Sequence, residues 1–540
     1  MSPLLTESLW PAETSTELLD TTLGDLLRQA ASTVPDRIAL VSGEASHAER
    51  RRWTYAQLLD ESVRMAKALL GRFEPGERIA VYTPNCAEWV VLQHAASLAG
   101  LQLVPLNPAY RTGEVEVVLR GAQVSGIFHA DHFRDNDIAA HVADLHERID
   151  HLREAVPLAE LDLFAASADL STGLPAVDPG DVLQVQFTSG TTGVPKGALL
   201  HHKGVINSSR FTAQRAGFPD GGVWVNAMPM FHVGGGAVCR IGCLSQYGTF
   251  VLADGFDAGG LLELIESEQG NTTLVVPTMI LAMLAHDTFP ARDLSSMVTV
   301  LSGAAEVPAA LVQRTKTEMG CGFSILFGQS EMNGVISQTR LSDSVEDQAE
   351  TVGIPMPHLE VKIADPTDGS VLPLGDAGEI CVRGYQTMLG YVNAPSETSS
   401  TIDPEGWLHM GDLGTLDERG YLRITGRLKD MIIRGGMNLY PSEIENVLFS
   451  HPEVAQVSVI GVPDERWGEV VAAVVLPRDP TAPPDPQSMR AFCHERLSRH
   501  KAPSLWFIVD QFPLTPTGKV QKYVLQEWVA TGAIQPSDHA

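Results

Sequence analysis

A chain of 540 residues is too long for a single hydrophobic core, so two or more domains are expected. Apolar residues make up 44% and charged residues 19%, which excludes an intrinsically disordered chain. With 38 basic against 66 acidic residues the formal net charge is -28, and long-range repulsion makes nucleic acid and anionic membrane poor partners.

Any phosphate site in so acidic a chain has to be built locally, from backbone amides, a few Lys or Arg and a metal. The six cysteines (Cys86, Cys239, Cys243, Cys321, Cys381, Cys493) form no CxxC pair, so they read as thiols of a reducing, cytoplasmic protein. Cys239 and Cys243 have no further Cys or His at metal spacing and read as buried thiols. The first twenty residues lack a basic segment and an apolar core, so no signal peptide is expected. No membrane span is expected either, because even Val90–Leu106 is broken by Gln93, His94 and Gln102.

In chain order, Arg52–Tyr55 reads as a strand leading into an amphipathic helix that ends near Leu70. Arg78–Tyr82 is a strand, Ala87–Ala99 a helix stopped by Gly100, and Leu101–Pro105 the next strand. The rhythm continues through strand-like Val182–Phe187, Val223–Ala227, Thr249–Leu252, Thr273–Val276 and Thr299–Leu301. Alternation of this kind predicts an α/β fold with parallel sheets. From about Gly353 the texture changes to short strands and Gly-rich turns, which predicts a small β-rich subdomain over residues 353–427. A boundary is placed after Arg427, so residues 1–427 form the large N-terminal domain and 428–540 a small α+β C-terminal domain. There Pro441–Phe449 is helical with Ile444, Val447 and Leu448 on one face; Val454–Ile460, Val470–Leu476 and Leu505–Val509 are strands, and Met489–Leu497 is a helix. The tail after Trp528 is expected to fray.

The segment Phe187-Thr188-Ser189-Gly190-Thr191-Thr192-Gly193-Val194-Pro195-Lys196-Gly197 follows a strand. Its glycines let backbone N–H groups turn toward an anion. Its four hydroxyls (Thr188, Ser189, Thr191, Thr192) can donate to phosphate oxygens, and Lys196 adds a positive charge. It is not a Walker A loop, which needs GxxxxGK followed by Ser or Thr. A second near-match, Thr517-Gly518-Lys519, fails the same test because Pro513 stands at the first Gly and Val520 follows the Lys. A P-loop NTPase is therefore disfavoured.

The loop resembles the phosphate-binding signature of the adenylate-forming superfamily, which includes acyl-CoA synthetases, peptide-synthetase adenylation domains and beetle luciferase. Four further segments resemble family motifs in the same order: Phe327-Gly328-Gln329-Ser330-Glu331; Gly406-Trp407-Leu408-His409-Met410-Gly411-Asp412; Gly426-Arg427-Leu428-Lys429-Asp430 with its sequel to Glu445; and Pro513–Lys519. The resemblance thus spans nearly the whole chain. It implies a large N-terminal domain of stacked α/β sheets, followed by a mobile lid.

On this resemblance Lys519 contacts the acyl carboxylate and the α-phosphate, stabilising the adenylation transition state. Glu331 holds Mg²⁺, with Thr188 as a further metal-side ligand. Ser330 replaces the usual Thr but keeps the hydroxyl, and Phe327 stacks on adenine without the hydroxyl of the common Tyr. Asp412 accepts hydrogen bonds from ribose, with Arg427 beside it; the alternative is that the two simply pair with each other. Gly303-Ala304-Ala305 resembles the segment lining the adenine and acyl pockets, and equally fits a tight turn after a strand. Lys429 marks the hinge, and Gly435-Gly436 borders a pantetheine channel unless it is only a flexible loop. Gly328, Gln329, Gly190 and Gly193 complete the nucleotide-side set.

Met228-Pro229-Met230-Phe231-His232-Val233-Gly234-Gly235-Gly236 aligns with the acyl-pocket motif. Amino-acid-activating relatives carry Asp after the Phe to pair with the substrate ammonium; His232 stands there, so an acid with a neutral tail is favoured. His232 either gates the pocket and orients the thiol, or is a satisfied core histidine. The three glycines are expected to leave room for a chain or ring. The leading expectation is a CoA ligase using ATP, Mg²⁺ and CoA on a medium- to long-chain fatty acid. Aryl acids, a carrier-protein acceptor and a non-catalytic nucleotide sensor stand as alternatives. Homodimerisation is compatible with the sequence, which leaves the oligomeric state open.

Overall fold

Helix Ala87–Leu98 shows how the core is built: all its residues but Glu88 are buried, so it has no solvent face to pattern. A helix sandwiched between two layers is buried on every side in this way. The structure, a computed structural model, describes residues 4–43, 50–188, 195–303, 305, 307–435, 437–514 and 520–537.

The first sheet has six strands in the order 196–201, 182–188, 102–105, 78–82, 126–129, 154–157. It is parallel except for the hairpin Val182–Thr188/Lys196–His201 at one edge. The second has nine strands in the order 354–355, 334–338, 322–329, 299–303, 272–274, 223–226, 249–252, 38–42, 52–54. Its interior is parallel and its edges are antiparallel. One hydrophobic cluster joins residues of both sheets to the helices between them. A five-stranded antiparallel sheet follows, built from Leu359–Ala364, Gly378–Gly384, Leu408–Leu416 and Leu422–Arg427. Its outer strand is Leu9–Trp10, from the other end of the chain. Gly420, at φ +85°, lies against Trp10, and a Cβ there would come within 2.0 Å of the indole ring.

After Arg427 a 3₁₀ turn, Leu428–Asp430, leads into the last sheet: 432–434, 437–439, 454–464, 468–477 and 505–508. Helices Pro441–Phe449, Pro486–Arg496 and Lys522–Thr531 cover it. The Ser442 hydroxyl donates to the Thr425 carbonyl, tying this unit back to strand Leu422–Arg427. The tail corrects the expectation of fraying. Trp528, Val529 and Ile534 pack on a hydrophobic cluster, and the Ser537 N–H donates to the Trp506 carbonyl at 2.7 Å. Apolar residues in the tail, invisible as a periodic pattern, pin it down.

All six thiols are free, and Cys239 and Cys243 are buried as expected. Among the described residues no helix is long and apolar enough to cross a membrane.

One buried histidine gives the fold a pH response. Burial pushes the His202 imidazole down to about 4, and its Nδ1 accepts the Leu23 N–H at 3.1 Å. The unfolded chain takes up this proton near pH 6.5, whereas the folded protein resists it. The stabilisation is thus fully present above pH 6.5 and is lost as pH falls toward 4, by about 3 kcal/mol. In His202→Asn the amide oxygen can accept from Leu23 but does not titrate. Its urea midpoint is expected to fall less steeply between pH 7 and 4.5 than that of the parent; equal slopes would contradict the assignment.

Candidate active site

Glu331 sits in a one-turn 3₁₀ helix, Ser330–Met332, at the end of strand Gly322–Gln329. The turn closes through Asn333 in the left-handed region at φ +53°, a conformation Asn tolerates. Asn333 also fixes the turn in space: its side-chain oxygen accepts the His201 N–H at 3.0 Å, and its amide donates to Gln386 at 2.8 Å. The carboxylate of Glu331, only 5% exposed, points at the base of the 188–197 loop. Its Oε1 accepts the Thr188 hydroxyl at 3.2 Å and the Tyr391 phenol at 3.0 Å.

Tyr391 arrives because residues 389–392 run alongside strand Lys196–His201. Leu199 donates to Gly390 at 2.9 Å, Leu389 donates to Leu199 at 3.0 Å and Val392 donates to Gly197 at 2.8 Å. The Tyr391 ring lies 5.3 Å from Lys196 Nζ. Burial, followed by the charge of Glu331, holds the phenolic proton on well above the usual range. Sequence reading missed Tyr391 and Asn333. The Gly390-Tyr391 pair stands sixty residues beyond Glu331, and nothing local in the sequence announces their meeting. Ser189, Gly190, Thr191, Thr192, Gly193, Ala304, Gly436 and Lys519 lie outside the described residues. A cavity of about 340 Å³ borders the hairpin beside Phe187, Lys196, Gly197, Val392 and Glu397, but none of Glu331, Phe327 or Asp412 lines it.

Strand Thr299–Gly303 pairs in parallel with strand Gly322–Gln329, placing Gly303 opposite Leu326. Gly303 and residues 327–331 therefore emerge side by side at carboxyl strand ends, where open α/β sheets bind ligands. Phe327 is half-buried and Ser330 partly exposed there, and Ala305 is exposed. Gln329 donates to the Met410 carbonyl at 3.4 Å, linking this edge to strand Leu408–Leu416. On that strand Asp412 is 6% exposed and stands opposite Arg427 in the ladder. Arg427 Nε lies 2.9 Å from Asp412 Oδ1. The two side chains are thus in contact through one carboxylate oxygen, beside a half-exposed Arg427.

At the acyl-pocket motif the Phe231 carbonyl accepts from Gln186, and Asn85 brackets Met228 and Met230 at 3.1 and 2.8 Å. His232 is exposed, and its Nδ1 accepts the Gly234 N–H at 3.1 Å. Residues Gly234–Cys239 form a π-helical turn. At two of the three glycines the room expected is filled by the protein itself. A Cβ on Gly235 would come within 3.0 Å of the Met228 and Pro229 carbonyls, and one on Gly236 within 3.0 Å of the Met230 carbonyl and the Trp89 ring. These glycines serve backbone packing around a widened helical turn.

Lys429 is exposed in the 3₁₀ turn, and Gly435, at φ +57°, donates to the Trp467 carbonyl at 2.7 Å. Arg434 and Arg466 flank the Trp467 ring at 5.6 and 4.9 Å. Among the described residues no hydrogen bond or ion pair joins Lys429 or Gly435 to Glu331.

Two packed α/β sheets, strand ends carrying a buried carboxylate and an Asp–Arg pair, and a small α+β unit behind a short turn describe an adenylate-forming enzyme. The sequence model of the AMP-binding enzyme family matches residues 27–392, and that of the AMP-binding enzyme C-terminal domain matches residues 443–519. The chain is 36% identical over 526 residues to a 7a-methyl-1,5-dioxo-octahydroindenyl-propanoyl:CoA ligase of Rhodococcus jostii (strain RHA1), covering 94% of this chain and 98% of that one. It is 32% identical over 568 residues to the mitochondrial medium-chain acyl-CoA ligase ACSF2 of Danio rerio, covering 97% and 91%. ATP-bound MatB from Rhodopseudomonas palustris superposes with a TM-score of 0.83 at 28% identity, over 94% of this chain and 99% of that one. The chain belongs to the AMP-binding enzyme family, in its acyl-CoA synthetase branch, and is an AMP-forming acid–thiol ligase.

Proposed function

We propose that this enzyme joins a medium- to long-chain fatty acid to CoA in two steps, in a reducing, cytoplasmic setting. A carboxylate oxygen attacks the α-phosphorus of ATP and pyrophosphate leaves; the CoA sulfur then attacks the acyl carbon, AMP leaves and the thiol proton is released. The observation that carries this reading is Glu331, a buried carboxylate gathered with Thr188, Lys196 and Tyr391 at the base of the hydroxyl-rich loop. Its candidate metal donors are oxygens, the Glu331 carboxylate and the Thr188 hydroxyl, which suits Mg²⁺. Bound there with Thr188, Mg²⁺ would neutralise triphosphate charge.

The chain's own groups do the rest. Lys196 offers positive charge to phosphate oxygens. Phe327 offers a face to adenine, with Gly303–Ala305, Gly328, Gln329 and Ser330 lining its edge. Asp412 and Arg427 bracket the ribose. Residues 428–540 act as a lid turning about Lys429, which carries Lys519 to the reacting carboxylate and then gives way to the thiol near Gly435 and Gly436. His232 lies at the acyl side, where the missing Asp favours a neutral tail. A fatty acid is preferred over an aryl acid because the medium-chain ligase is among the relatives; the Rhodococcus ligase shows that a ring-bearing propanoate is also met in the family.

The test measures pyrophosphate release and thioester formation separately across aliphatic and aryl acids. Octanoate to palmitate is expected to lead, with thioester only when CoA is supplied. Pyrophosphate without thioester would overturn CoA as acceptor. Lys519→Ala is expected to abolish pyrophosphate release while largely sparing thioester formation from supplied acyl-adenylate; equal loss in both steps would contradict its role.

A further inference from the structure

Strands Gly378–Gly384 and Leu408–Leu416 place Cys381 directly opposite His409. A bulge in that ladder, between residues 379 and 381, brings the Glu379 side chain to the same spot. His409 Nδ1 lies 2.7 Å from Glu379 Oε2 and 3.5 Å from Cys381 Sγ. One oxygen, one sulfur and one ring nitrogen thus lie within 4.8 Å of one another. Glu379 and Cys381 are 7% and 0% exposed, whereas the His409 side chain keeps 30% exposure and gives access from solvent.

The far side of the imidazole is also arranged. His409 Nε2 faces Asp403 Oδ2 at 3.6 Å, and the other oxygen of Asp403 accepts the Glu405 and Trp407 N–H groups, each at 2.9 Å. A carboxylate held near one ring nitrogen, within a small shift of hydrogen-bond distance, with mixed donors before the other, can orient a metal-binding histidine.

We propose that Glu379, Cys381 and His409 Nδ1 form a binding site for a thiophilic divalent cation of the Zn²⁺ class, with Asp403 orienting the imidazole. Sulfur and imidazole select such an ion over Mg²⁺. Tetrahedral bonds of about 2.3 Å to sulfur and about 2.0 Å to nitrogen put those two atoms about 3.5 Å apart, which is the spacing observed. The carboxylate has to swing outward by about 0.6 Å from the nitrogen, within reach of a Glu side chain. The Cys381 thiolate, Glu379 and Asp403 together offset the dication and the buried Lys362 ammonium opposite Cys381, the thiol proton leaving to solvent as the metal–sulfur bond forms, and a water completes the shell. Because the other oxygen of Glu379 holds the Gly411 N–H at 3.2 Å, the site adjoins Asp412.

The test adds Co²⁺ to the full-length, chelator-treated protein. A sulfur-to-cobalt charge-transfer band is expected, saturating at one equivalent and erased by Zn²⁺. Cys381→Ser and His409→Gln, the latter at a partly exposed side chain, should each remove the band. Asp403→Asn should weaken binding about 10-fold or more. Absence of a band in the parent, or its persistence in either ligand variant, would overturn the site. Unchanged affinity in Asp403→Asn would overturn the orienting role.

Discussion

Glu331→Gln is expected to lower pyrophosphate release at saturating ATP about 100-fold or more, a loss in the range found when one charge-stabilising group is removed from a preorganised site. The substitution keeps the shape of the side chain, and the amide oxygen can still accept from Thr188 and Tyr391, whose hydroxyls lie 3.2 and 3.0 Å away. Only the charge is gone. Stability should move the other way, because a carboxylate 5% exposed with two neutral donors carries a desolvation cost that Gln does not. The urea midpoint is therefore expected to hold or rise while turnover collapses. Tyr391→Phe isolates the hydroxyl: one hydrogen bond to a charged group is about 2 kcal/mol, so a loss of about 10- to 30-fold follows. A Glu331→Gln enzyme within 5-fold of the parent would remove Glu331 from the catalytic set.

Gly328→Ala should be costly for a different reason. Strand Gly322–Gln329 returns through Gly334–Gln338 with a register shift beside Gly328, and a Cβ at 328 would come within 3.0 Å of the Gly334 backbone and Val335 Cα. A rigid ladder cannot accept that, so the strands must part, at about 3 kcal/mol. The same turn carries Phe327, Gln329 and Glu331, and activity should fall with stability. Gly113→Ala is the control: it lies in helix Thr112–Gly121 with nothing within 4 Å, where Ala is favoured by about 0.5–1 kcal/mol. Denaturation midpoints and turnover of both variants decide the matter. If Gly328→Ala melts with the parent, the close approach is not limiting.

The fold was readable wherever burial left a run of one character. Strands 78–82 and 249–252 and helix 441–449 stand where the apolar runs and the 3.6-residue period put them, because buried parallel strands are apolar on both faces. Strand order was not readable, since neighbours such as 223–226 and 249–252, or 38–42 and 249–252, are chosen by packing across the chain. Leu9–Trp10 joining a sheet built from residues beyond 358 is the extreme case. In the site, residue types and their order pointed to Glu331, Asp412 and Arg427. Asn333 and Tyr391 escaped because their work depends on contacts with strand 196–201. The glycines at 235 and 236 misled because a missing side chain reads the same in sequence whether it leaves space for a ligand or for a carbonyl.

That difference matters to anyone who would vary the segment 228–236 by directed evolution. In a library randomised at 235 and 236 every residue but glycine brings a Cβ within 3.0 Å of backbone carbonyls, so most members are expected to lose stability, by about 1–3 kcal/mol each. Gly234, whose added Cβ would meet only His232 Nδ1 at 3.3 Å and Leu274 at 3.7 Å, is the tolerant neighbour.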